Sequence, residues 1–379
     1  MITDAVFGFG CLAARVDLRS TILVSPLPRK EFRDQSNLSF VEFVDESVSA
    51  ATRFVRAQKL IPELFRRSGA NVLLSAGNIA LFRSPVPQIL LSGNALYTSE
   101  DFFRDVPRRG QYGLWFDTKL KGRLAKWSVR SADCTVAPSE AFAAEIQRWT
   151  GVRARAIHHG FDRDLFFQNT APLPQQLQAK LERNQNELRL LFVSHYYYYR
   201  NFETLIRARS PAQETNRESG SETVSDVQAP AGDHPGLYRP EAAAALVQEL
   251  GVAPNLVELG AVPYHLLHHV YRACDLYVTP AYVETFADPL VEAMASGRPV
   301  IASDLAVRRE VCGEAALYFA TFSPELLAET VCRVAQSPEL YRQMSERGLG
   351  RSGDFSWKDH VAQVVSIAEA LLRGETSQV

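Results

Sequence analysis

Three observations in this 379-residue chain predict an α/β fold of two Rossmann-like domains. Short, nearly continuous apolar segments alternate with helical patterns along its whole length, as in parallel sheets covered on both faces. Hydrophobic residues make up 46% of a chain too long for one ordinary core and about right for two. A polar stretch near the middle, RDLFFQNTAPLPQQLQAKLERNQNE, separates the two series.

The first series has strand candidates TILVSP (21–26), NVLLSAG (71–77), PQILLSGN (87–94), CTVAPS (134–139) and ARAIHHG (154–160). Helices are expected at 45–67 and 139–150. The second series has LRLLFVSH (188–195), NLVELGAV (255–262), LYVTPAY (276–282), PVIASD (299–304) and ALYFA (316–320). Its helices are expected at 201–208, 241–250, 265–273, 289–296 and 306–312. Residues 323–372 read as helical, because Ser323 and Ser337 each precede Pro and Glu, an N-cap followed by proline in the first turn. The last helix, HVAQVVSIAEALL, is of a kind that packs back on the first domain. The expected division is a first domain over 1–165, a linker at 166–187, a second domain over 188–360 and a terminal helix and tail at 361–379.

One segment breaks the pattern. Residues 209–236 contain no Leu, Ile, Met or aromatic residue where a βα unit is due. Such a composition cannot bury enough surface to order itself, so a disordered polar insertion is expected, or else the loss of a core strand.

Composition excludes several classes. A net charge of −2 argues against nucleic acid as the main partner. Five scattered cysteines without a CxxC pair point to buried free thiols in a reducing cytoplasm. No apolar run is long enough to span a membrane, and the N-terminus lacks the basic start of a signal peptide. No cluster has zinc spacing, and no GxGxxG follows a strand.

The most informative stretch is ETFADPLVEAMASGRPVIASD, 284–304. Asp288 reads as an N-cap, Pro289 as the first helical residue and Gly297 as the stop. The loop then sits outside the carboxyl end of a strand, where open α/β sheets bind ligands. A helix N-terminus suits a diphosphate. Glu292 in the first turn suits a ribose diol, Glu284 suits sugar hydroxyls, and Thr285, Phe286 and Ala287 pass between them. On the residues alone a second reading stands beside this one: Glu292 as an electrostatic cap and Glu284 as a solvated loop acid.

The spacing E-x7-E at 284–292, followed by AMASGRPVIASD, resembles the retaining GT-B glycosyltransferases of family 4, the glycosyl transferases group 1. SADCTVAPSEAFAAEI (131–146), ARAIHHGFD (154–162), LLFVSHYYYYRNFETLIRA (190–208) and ELGAVPYHLLHHVYRACDLYVTPAYVETFADPLVEAMASG (258–297) match that family in order. The resemblance covers about 131–372, and more weakly 70–97. It implies two Rossmann-like domains with parallel sheets facing a central cleft. It also implies transfer of a sugar from a nucleotide-diphosphate sugar to a glycan or lipid-linked acceptor in cell-surface polysaccharide synthesis, with no metal or other cofactor.

By the same resemblance Glu284 binds the donor sugar, Glu292 the ribose and Arg200, in RN at 200–201, the diphosphate. Arg200 and Glu284 are thus the expected catalytic residues. Thr285, Phe286, Ala287, Asp288, Leu290, Asn201 and Asn94 join Glu292 in the donor site. The chain also departs from the family. Ala287 stands where glycine is usual, no lysine lies between 181 and 357 to supply a second phosphate ligand, and the first strand with its glycine-rich loop is not visible, FGFG at 7–10 being a faint candidate. A degenerate, non-catalytic nucleotide-sugar binder and, less favoured, a sugar-nucleotide epimerase are the alternatives. A cytoplasmic protein is expected. The basic run KLKGRLAKWSVR (119–130) offers either a peripheral membrane contact or a solvated helix face.

Overall fold

The computed structural model describes residues 12, 15, 17–24, 36–42, 50–182, 188–208, 221–225 and 241–375. They group into two compact units. The first comprises Met1–Asn94, Lys121–Gly160 and Ser356–Val379, and the second Ala95–Leu120 and Phe161–Phe355.

In the first unit, β1 (Ser20–Val24) pairs in parallel with β2 (Leu38–Glu42), a strand that the apolar pattern did not announce. A separate four-stranded parallel sheet follows the chain order β3 (Leu73–Ala76), β4 (Gln88–Leu91), β5 (Cys134–Ala137) and β6 (Arg155–Ala156). All four residues of β5 are buried, as a strand covered on both faces requires. The terminal helix Trp357–Leu372 closes this unit, setting Ile367 and Leu371 against Ile89, Cys134, Val136 and Ile157.

The second unit carries a six-stranded parallel sheet. Its strands are β7 (Leu188–Phe192), β8 (Ser221–Ser225), β9 (Leu256–Glu258), β10 (Leu276–Thr279), β11 (Val300–Ser303) and β12 (Ala316–Phe319), in the spatial order β12-β11-β10-β7-β8-β9. β10 and β11 are buried at every position. The reversal of strand order lies between β10 and β7, so the loops leaving these two strands flank the switch point of the sheet.

β8 corrects an expectation. By composition the segment 209–236 is not expected to form a core strand, yet Ser221–Ser225 pairs with β7 on one side and β9 on the other. Apolar content was the wrong measure here. A strand inserted between two others satisfies its backbone N–H and C=O groups on both edges, and Thr223 and Val224 have β-branched side chains. The flanking 209–220 and 226–236 lie outside the described residues, as do FGFG at 7–10 and Cys11. Among the other cysteines, Cys134, Cys274 and Cys312 are buried free thiols and Cys332 is half-buried.

Helix starts follow their side chains. Ser323 accepts from Leu326 N, Ser337 from Leu340 N and Ser356 from Asp359 N, at 3.2–3.3 Å. Asp288 does not cap as expected. It is the first residue of the helix Asp288–Ala295, and the capping position belongs to Ala287, whose side chain has no oxygen to offer.

Within the first unit the terminal helix depends on one close approach. A Cβ on Gly160 would collide with the backbone and ring of Trp357, which cannot move without displacing the start of that helix. Gly160→Ala is therefore expected to lower stability by about 3 kcal/mol, the upper range of overpacking. Urea unfolding measures it; a loss below about 1 kcal/mol would mean that the helix docks without this contact.

Candidate active site

The loops leaving β7 and β10 carry most of the expected site. After β7 the chain forms a short turn at Tyr198–Arg200 and then bends at Asn201, whose φ of 55° is in the left-handed region that asparagine tolerates. The four tyrosines that precede Arg200 act mainly in packing. Tyr196 and Tyr198 are buried, and Tyr197 stacks on Tyr199 at 5.2 Å.

After β10 the chain is held at nearly every residue. Asn201 Nδ2 donates to Pro280 O at 3.1 Å. Ser303 Oγ donates to Ala281 O at 2.5 Å. Tyr282 N donates to Tyr199 O at 2.9 Å, and the Tyr282 hydroxyl donates to Asp105 Oδ2 at 2.7 Å. Two residues further on, Glu284 Oε2 meets Arg200 Nη1 at 2.9 Å, while Glu284 Oε1 accepts from Thr285 N at 3.1 Å.

The Arg200–Glu284 ion pair brings together the two expected catalytic residues. The side chains are 28% and 13% exposed, so the pair is reachable from solvent but poorly hydrated. Burial alone would lower the Arg200 pKa. The Glu284 charge and the phenols of Tyr199 and Tyr277 outweigh it and hold the guanidinium above its ordinary value. Arg200 Nε is buried without a hydrogen-bond partner among the described residues.

Phe286 is buried and packs edge-on against Phe355 at 5.3 Å. Ala287 takes φ 77° and ψ 67°, a left-handed conformation that its Cβ disfavours. Leu290 is fully buried, and its N–H donates to Ala287 O at 2.9 Å. Glu292 is 7% exposed and accepts from the Tyr271 hydroxyl at 2.8 Å. That oxygen is itself fully buried, and burial followed by the Glu292 charge holds the Tyr271 pKa well above the usual phenol range. Thr285 and Asp288 lie on the same loop, at the helix start.

Two expected residues sit differently. Asn201 spends its side chain inside the protein, donating to Pro280 O and accepting from Thr204 Oγ1 at 3.0 Å. Asn94 follows β4 and belongs to the first unit.

Sequence reasoning missed Tyr271, Ser303 and Arg308. Arg308 is fully buried in the helix Ala306–Cys312 and reaches the ends of β10 and β11. It also missed a polar cavity of about 490 Å³ in the second unit, lined by Asp105, Arg109, Asn201, Glu203, Arg207 and Glu249 among others. There Arg109 bridges Glu203 at 2.6 Å and Asp105 at 2.8 Å.

Comparison with known proteins gives this geometry a context. Residues 175–351 match the family model for glycosyl transferases group 1. A D-inositol 3-phosphate glycosyltransferase of Segniliparus rotundus is 33% identical over 140 residues, 36% of this chain and 30% of that protein. The match thus spans less than half the length of the first curated relatives. In overall fold the chain is similar to Anabaena HepE in complex with UDP-glucose, with TM-score 0.69 at 16% identity over 95% of each chain. It is also similar to WaaG, a glycosyltransferase involved in lipopolysaccharide biosynthesis, with TM-score 0.68 at 14% identity over 96% of this chain and 95% of that one. The fold is GT-B.

The strained Ala287 yields a test of the loop. Ala287→Gly relieves a left-handed Cβ and is expected to raise the unfolding free energy by about 1 kcal/mol. Urea unfolding that shows equal or lower stability would contradict the strain assigned to this position.

Proposed function

From the match of residues 175–351 to the glycosyl transferases group 1 family model, we propose that the chain moves a hexosyl group from a nucleoside-diphosphate sugar to a glycan or lipid-linked acceptor, with retention at the anomeric carbon, in the cytoplasmic steps of cell-surface polysaccharide synthesis. The observation that carries this reading is the Arg200–Glu284 pair beside the start of the helix Asp288–Ala295. A cation and an anion of complementary use stand together where a sugar diphosphate needs one of each.

The diphosphate draws Arg200 away from Glu284, because a guanidinium binds two phosphate oxygens at once. The helix start adds its partial positive charge. Glu284 is thereby released toward the sugar hydroxyls, and Glu292 exchanges its Tyr271 hydrogen bond for the ribose diol. As the bond from the anomeric carbon to the diphosphate oxygen breaks, Arg200 and the helix start take up the charge that develops on the leaving group. The acceptor hydroxyl forms the new bond on the same face, and its proton passes to the departing phosphate. The scheme uses neither a side-chain nucleophile nor a metal. The UDP-glucose complex of HepE supports a nucleotide-sugar donor, and the lipopolysaccharide role of WaaG supports a cell-surface product.

A lipid-linked acceptor is favoured by the helix Tyr112–Ser131. Tyr112, Phe116, Leu120 and Trp127 are all exposed and fall within one quarter of its circumference. Lys119, Arg123 and Arg130 are exposed among them. Aromatic side chains interleaved with cations suit an anionic membrane surface. Among the described residues no helix is long and apolar enough to cross a membrane. Phe116→Ala combined with Trp127→Ala should abolish cosedimentation with phosphatidylglycerol vesicles, and phosphatidylcholine vesicles should not bind in either case. Binding that persists in the double variant would remove the membrane contact.

The donor site is tested by screening nucleotide sugars for thermal stabilisation, then for nucleotide release. Glu292→Ala is expected to weaken nucleoside diphosphate binding by about 1.5–3 kcal/mol, the range for a hydrogen bond to a charged group. Glu284→Gln should leave that binding unchanged and lower turnover of the intact donor. Equal losses in both variants would contradict the division of labour. Binding with no turnover in the parent protein would favour a non-catalytic binder, and an epimerised product a sugar-nucleotide epimerase.

A further inference from the structure

Buried charges in proteins are normally paired, because an isolated one is costly to remove from water. Arg308 departs from this rule. It is 0% exposed, and no Asp or Glu oxygen lies within 4.0 Å of it among the described residues. Its hydrogen bonds go to neutral groups at the carboxyl ends of two strands. Nη1 donates to Thr279 O at 3.2 Å and to Ser303 Oγ, and Nη2 donates to Thr279 Oγ1 at 3.2 Å. Nε has no partner.

These contacts lead to Glu284. Thr279 is the last residue of β10, and Ser303, which accepts from Arg308, in turn donates to Ala281 O. Arg308 therefore fixes, directly or through Ser303, two of the residues that set the path of the chain into Glu284. Burial pushes its pKa down to about 10, the Glu284 charge being the strongest opposing influence and Arg200 adding to the lowering. At neutral pH the guanidinium stays charged, and Glu284 is the carboxylate that acts on it most strongly.

We propose that Arg308 is a positioning residue of the donor site: it sets the path of the β10 loop and supplies the standing counter-charge to Glu284 when Arg200 turns to a diphosphate. This rests on the reading of Arg200 and Glu284 given above. Glu284 has Arg200 as its partner. Once a diphosphate takes Arg200, the carboxylate would otherwise stand poorly hydrated beside two phosphates. A cation that cannot leave, because strand ends hold it on both sides, keeps that carboxylate in place. The chain has no lysine between 181 and 357, so the positive charge of this region rests on arginines. An apolar side chain would fill the space without the desolvation cost, which is why a purely structural role explains Arg308 poorly.

The test compares Arg308→Lys and Arg308→Met, each alone and combined with Glu284→Gln. Calorimetry with UDP, GDP and ADP as probes reads nucleotide affinity, steady-state kinetics reads donor turnover, and thermal unfolding reads stability. Arg308→Met should keep the affinity for the bound nucleotide within about 3-fold and lower kcat about 10-fold or more, with Arg308→Lys recovering part of the loss. On the Glu284→Gln background the same change should cost little further, because the charge that Arg308 serves is gone. Unchanged kcat well below the unfolding temperature, or an equal loss on both backgrounds, would overturn the proposal. Failure of the parent protein to turn over any donor would contradict the proposed function instead. The stability cycle then decides: non-additive losses for the Arg308 and Glu284 changes uphold the pairing, and additive losses overturn it.

Discussion

Everything in the candidate site turns on one ion pair, the 2.9 Å contact between Arg200 and Glu284. Neither side chain is well solvated, so each needs the other as long as nothing else is bound. The two residues come from different loops, one after β7 and one after β10, so the pair also ties neighbouring strands of the sheet at their carboxyl ends. A ligand that offers Arg200 a better anion and Glu284 a set of hydroxyls can replace the contact without leaving a bare charge. A sugar diphosphate is such a ligand, which is the physical content of the functional reading.

The surrounding structure is arranged to hold that pair in place. The carbonyls of Thr279, Pro280 and Ala281 are each tied down by side chains from another element: Arg308, Asn201 and Ser303. Tyr282 is held at its backbone by Tyr199 and at its hydroxyl by Asp105. The loop is thus a stretch with little freedom before Glu284 and a strained residue, Ala287, after it. Rigid support of this sort positions polar groups in advance and lowers the reorganisation needed when charge shifts during reaction.

Much of this was legible in the sequence, and the failures have specific causes. Every strand read from an apolar run is present, most plainly β5, β10 and β11, where burial at every position leaves no room for solvated polar residues. β8 was missed because it has no such run: its place is set by ladders to β7 and β9, which composition does not record. Glu284 and Glu292 are singled out by the spacing of the 284–292 stretch and its family likeness, and Arg200 by the RN at 200–201; Arg200 and Glu284 stand in contact. Asn201, expected in the donor site, also has a structural task that a motif match does not reveal: its backbone is left-handed and its amide bonds inside the protein. Arg308 did leave a trace. It lies beside Val307 and one turn before Val311 and Cys312, on the buried side of its helix, where a charge is out of place.

The most direct measurement of the central claim is a crystal structure with the nucleoside diphosphate that stabilises the protein most. The account predicts Arg200 on the phosphate oxygens and the Arg200–Glu284 separation opened beyond the ~4 Å of an ion pair. A bound nucleotide with the pair still closed, and its phosphates held by other residues, would contradict it.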